Sequence, residues 1–79
     1  MSERLKYLGR RQELELEKKS LEIRIHGLIK NLRDALDPLK PVSELPTDAI
    51  AEVAVMLAET KDRYMEVMDG LKQIKDIPG

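Results

Sequence analysis

Three prolines, Pro38, Pro41 and Pro46, fall within nine residues near the middle of the chain, and no other feature restricts its folding as much. Proline has no backbone N–H and disfavours the α region in the residue before it. A helix is therefore predicted to stop near Asp37, and no other to be established before Pro46. Both flanking segments are long and rich in helix formers. They read as helices over about 3–37 and 47–76, joined by a turn at 38–46, in one domain spanning 1–79. Thr47 offers an N-cap hydroxyl to the second helix, and Asp48 puts negative charge in its first turn, where the helix dipole favours it.

Each segment carries a heptad pattern. In the first, Tyr7, Leu14, Leu21, Leu28 and Ala35 recur at a spacing of seven, with Arg11, Lys18, Ile25, Leu32 and Leu39 four residues on. In the second, Ile50, Val53, Leu57, Thr60, Tyr64, Val67, Leu71 and Ile74 alternate steps of three and four. In an antiparallel hairpin, facing positions add to a near-constant, about 85 for a turn centred near Val42. That register sets Leu32 opposite Val53, Ile25 opposite Thr60, Leu28 opposite Leu57, Leu21 opposite Tyr64 and Leu14 opposite Leu71. Both seams thus fit the turn length provided, and the expected fold is all-α, an antiparallel two-helix hairpin of coiled-coil type. The alternation in Glu13–Glu17 and Leu21–Ile25 is the pattern of a strand, but the heptad runs through both stretches without a turn residue, so helix is expected there too.

Read as helix, that alternation leaves apolar residues off the seam. Leu16 and Ile23 lie about 200° round the helix from Leu14 and Leu21. With Leu5 and Gly9 they outline a second stripe. From Ala49 to Ala58 every residue but Glu52 is apolar, and a helix hydrophobic nearly all round is normally buried on more than one side. A lone hairpin cannot cover both surfaces. Ala51, Val55, Met56 and Ala58, with Leu5, Leu16 and Ile23, are the candidate interface for a homodimer, a four-helix bundle being the expected assembly. Met56, Met65 and Met68 read as core filler rather than as the lining of a groove. Gly9 and Gly27 are explained equally by close helix approach or by a slight kink.

Charge adds a polarity to the hairpin. The net charge is −1, but residues 1–40 carry ten Lys/Arg against seven Asp/Glu, and residues 41–79 four against eight. A basic helix and an acidic one should attract when side by side. Arg11 and Lys18, on the seam near the open end, are expected to lay their stems over Val67 and Ile74 and to reach Glu66 and Asp69. Arg4, Lys6, Arg10 and Arg11 form a basic cluster that could meet phosphates, although nearby glutamates repel them and no aromatic residue lies among the later cations to stack a base.

Catalytic chemistry finds little to work with. There is no cysteine, which excludes disulfides, thiolate metal sites and a thiol nucleophile. The single histidine, His26, has Glu22 one turn before it, but two ligands fall short of the three or four a metal needs. No hydroxyl has a His and an orienting acid beside it, and the glycines form no phosphate-cradling loop. No cofactor, metal or enzymatic activity is expected. Neither a signal-peptide core nor a membrane-spanning run is present, which favours a soluble, cytoplasmic chain.

The Pro38-Leu39-Lys40-Pro41 turn and the short length resemble the type III secretion needle subunits and their small chaperones, and the resemblance implies a hairpin that works by assembly. The sporulation aspartyl-phosphate phosphatases are also short hairpins, but where their Ser-Gln-Glu-Leu-Asp signature would stand the chain reads Val55-Met56-Leu57-Ala58-Glu59. The cations of the all-helical chorismate mutases are not matched by Arg24, Lys30 and Arg33. The expected function is a non-enzymatic interaction or adaptor module, homo-oligomeric and open to a heterologous protein partner. The alternatives are a small dimeric hairpin that binds nucleic acid through its basic helix, and a secretion-needle or chaperone-like hairpin.

Overall fold

The computed structural model describes the backbone of residues 3–75 and the side chains of residues 8–74. Two helices, α1 (Glu3–Ala35) and α2 (Thr47–Lys75), pack against each other as an antiparallel hairpin, with a short 3₁₀ turn (Val42–Glu44) between them. Among the described residues there is no strand. The glutamates and lysines around the two alternating patches are strong helix formers, and the helix keeps its 3.6-residue period through both.

The linker shows how the prolines act. α1 ends at Ala35, two residues short of the sequence estimate, because Pro38 holds Asp37 out of the helical region. Leu36 N–H still reaches Leu32 O at 2.9 Å. Asp37 then organises a turn in which its carbonyl accepts from Lys40 N–H at 3.2 Å and its Oδ1 from Leu39 N–H at 3.0 Å. Pro38 takes the turn position its fixed φ suits. A 3₁₀ turn follows, with Glu44 N–H bonded to Pro41 O and Leu45 N–H to Val42 O. The prolines forbid a long helix here but not a single turn in which the donors come from Glu44 and Leu45.

The start of α2 corrects one expectation. Thr47 is the first helical residue rather than the cap, since Ile50 N–H donates to Pro46 O at 2.9 Å and Thr47 N–H to Leu45 O at 2.9 Å. Pro46 therefore occupies the capping position, where a missing N–H costs nothing to the helix. Leu39 is a second correction. It continues the spacing of seven but lies past the end of α1, and it is exposed.

Between the helices, Leu14, Leu28 and Val67 are buried, and Val67 most deeply at 1% exposure. Leu21, Ile25, Leu32, Ile50, Val53, Leu57, Tyr64, Leu71 and Ile74 are half-buried. Buried Thr60 satisfies its hydroxyl locally by donating to Met56 O at 2.6 Å. The register is visible at the open end, where a Cβ built on Gly70 would sit 3.2 Å from Leu14 Cδ1. These positions add to 84.

The glycines separate by surroundings. Gly9 and Gly27 have nothing within reach of an added Cβ, so close approach within the hairpin does not explain them. Gly27→Ala is expected to stabilise the hairpin by about 1 kcal/mol through helix propensity alone. Gly70→Ala should gain less, because the Leu14 methyl must move aside. Urea midpoints of the two variants against the parent check the order.

Candidate functional site

A two-layer hairpin has one seam to bury and leaves three sides of each helix in water. The molecule measures 61 × 16 × 14 Å and exposes 6609 Å². A compact monomer of 9.1 kDa would expose about 4,900 Å². The difference is the surface that a rod exposes beyond a compact shape of the same mass.

Much of the surface near the turn is apolar. Ala49, Ala51, Ala54, Val55, Met56 and Ala58 are all exposed, Val55 at 57%, while Ile50, Val53 and Leu57 face α1. On the far side of α1, Leu16 and Ile23 are exposed at 68% and 74%. The side chain of Leu5, assigned to the same stripe, lies outside the described residues, as do those of Arg4, Lys6 and Tyr7. The methionines correct the expectation of core filler: Met56, Met65 and Met68 are exposed, because the seam takes only the 3–4 alternation and they stand outside it.

Near the open end, an open groove of about 720 Å³ follows one flank of the hairpin. Met65, Met68 and Leu71 form its apolar side, and Arg11, Lys18, Lys19 and Lys72 outnumber Glu15, Glu22 and Asp69 around it. Lys18 is half-buried there. Arg11 does not reach across to α2 as expected. Its Nε donates to Glu15 Oε1 at 3.2 Å on its own helix, one turn away. Of the basic cluster, Arg10 and Arg11 are thus exposed within the described residues, and Arg11 already has an acidic partner.

The opposite flank carries the one ion pair between the helices among the described residues. Arg63 donates Nε and a terminal nitrogen to the two oxygens of Glu17 at 2.7 and 2.9 Å, and its other terminal nitrogen to Glu66 at 3.0 Å. The pairing runs against the overall polarity, with the cation on the acidic helix and the anion on the basic one. Net charge of a segment does not choose partners; positions flanking the seam do. Hydrogen bonding from Arg63 holds the Glu17 carboxyl below the usual carboxylate range, and the same contacts hold the guanidinium above its own. A depressed folded-state pKa contributes stability above the unfolded value, and the contribution disappears as pH falls through the folded one. Glu17→Gln is expected to lower the melting temperature slightly at neutral pH and to match the parent once acid has protonated Glu17. Paired melts across the acid range test this.

Other polar groups are occupied or solvated. Tyr64 OH donates to Glu22 Oε2 at 3.4 Å, across the groove flank, and His26 is exposed. Among the described residues no three His, Asp or Glu side chains are grouped as a metal would need, and no helix is long and apolar enough to cross a membrane. Comparison with known proteins finds no matching family model, no matching curated protein and no matching solved structure.

One apolar feature was not legible as such in the sequence. Leu36, Leu39, Val42 and Leu45 are exposed at the turn, next to the apolar start of α2. The three prolines draw attention to chain reversal, and the leucines between them pass for turn filling. The available signal was that four large apolar residues lie within ten positions of a segment with no core of its own.

Proposed function

We propose that the chain is a non-enzymatic assembly or adaptor module, in which two coiled-coil-like hairpins associate as a four-helix bundle and present their open ends or outer stripes to another protein. The observation that supports this reading is the exposure of Ala49, Ala51, Ala54, Val55, Met56 and Ala58 on the part of α2 that α1 leaves free, interrupted only by Asp48, Glu52 and Glu59. Single exposed apolar residues are ordinary, but a contiguous apolar stretch around a helix marks a contact surface. Apolar burial supplies affinity in this mechanism, and flanking charges select register and partner.

A hairpin with so few buried side chains also has a physical reason to associate. A chain of this size is marginal with a single small core, and oligomerisation is one of the usual remedies. Light scattering and sedimentation through a dilution series in the micromolar range test the reading. A concentration-dependent dimer is expected; a well-folded monomer throughout that range overturns it.

A further inference from the structure

α2 carries a second heptad seam, about 100° round the helix from the one that faces α1. Ala51, Ala54, Ala58, Lys61, Met65 and Met68 follow one another in alternating steps of three and four, and all six are exposed. The stripe is graded along its length, small beside the turn and large beside the open end, with one cation at its centre. We infer that this stripe is the dimer contact, and that the α2 helices of two copies lie antiparallel along it with facing positions adding to 119. The inference rests on the self-association proposed above and specifies its face and direction.

Three features support that pairing. The first is size. In this register Ala51 faces Met68 and Ala54 faces Met65 of the second copy, so each long side chain meets a short one and the helices can approach closely. A parallel pairing would set methionine on methionine and leave alanine facing alanine. The second is charge. From Val42 to Glu59 the chain has four acids, Glu44, Asp48, Glu52 and Glu59, and no Lys or Arg. Antiparallel pairing keeps the acidic halves of the two copies apart, whereas a parallel pairing would set them side by side. The third is area. The surface beyond that of a compact monomer is on the order of 1,700 Å² per chain, against roughly 800 Å² per partner in a standard stable interface.

Lys61 then has a role that its position alone would not suggest. It faces Ala58 of the second copy near the dyad, and a single polar residue in an apolar seam fixes register at some cost in stability.

The absence of natural cysteine makes placed thiols unambiguous. Ala51→Cys and Met68→Cys, both at exposed positions that the hairpin itself does not use, are prepared separately. Each is treated with a short bismaleimide alone and after mixing and subunit exchange. In the antiparallel register, residue 51 of one copy adjoins residue 68 of the other, while two copies of residue 51 lie about 25 Å apart along the axis. The mixed product should therefore dominate, with little cross-linking of either variant alone. Efficient cross-linking of each variant with itself would overturn the antiparallel arrangement. A dimer by sedimentation with no cross-link in any mixture would overturn this face while leaving self-association standing. A parent chain that remains monomeric overturns both.

Discussion

Ala58→Glu is expected to leave the hairpin folded and to abolish its association at micromolar concentration. Ala58 is exposed in the hairpin, so the new carboxylate meets water in the monomer, and glutamate is a good helix former. In the proposed bundle the same side chain replaces a methyl group where the helices approach most closely, so that even facing Lys61 of the second copy it must force the seam apart, and the symmetry of a dimer inflicts this twice. A loss of about 3 kcal/mol, roughly a hundredfold in dissociation constant, corresponds to two such overpacking costs. Val55→Glu should act in the same direction. Glu59→Ala removes a carboxylate that is already solvated, and its effect should be small. Sedimentation equilibrium gives the ranking, and far-UV circular dichroism at low concentration shows that each variant keeps its helices. Equal effects from all three would place the interface elsewhere.

Leu28→Ala should instead damage the hairpin itself. Leu28 is one of three buried apolar side chains among the described residues, and truncating a buried leucine costs about 2–5 kcal/mol through lost burial and the cavity left behind. Few other buried contacts are present to compensate. Single domains have only about 5–15 kcal/mol of stability in all, and a thin two-helix core belongs at the low end. At 4–8 °C per kcal/mol for a domain of this size, the melting temperature should fall by at least about 10 °C. Ile23→Ala is the matched comparison, an aliphatic side chain on the same helix that is largely exposed. Measured at a concentration where the chain is monomeric, it should change stability by no more than about 0.5 kcal/mol. Similar losses from both would mean that α1 buries its outer face as well.

The positions the hairpin covers were readable because two independent patterns agree. The 3–4 alternation in each segment picks out one stripe, and the length of the proline-rich link sets how the stripes face each other. The contact of Leu14 with the space beside Gly70 falls within one residue of the register so derived. What sequence reasoning misjudged lies off the seam. Met56, Met65 and Met68 have the composition of core residues, and nothing in composition tells which side of a helix finds a partner. Arg11 illustrates the same limit for charge. An acid one turn away on its own helix is a closer partner than any on α2, although the net charges of the two halves pointed across the seam. Thr47 was displaced from the cap by the residue before it, since Pro46 supplies the carbonyl that the first helical bond requires.

By itself the sequence determined where the chain must reverse and which stripe of each helix must be buried. Proline stereochemistry and helical periodicity are local properties, and they act the same way in any environment. The tertiary structure decided how much apolar surface remains once that seam is closed, that Glu17 and Arg63 form the ion pair between the helices among the described residues, and that Met65 and Met68 line an open groove. These depend on which faces two rods can cover at once. Two helices share only one line of contact, so every apolar residue beyond that line is left to water or to another chain.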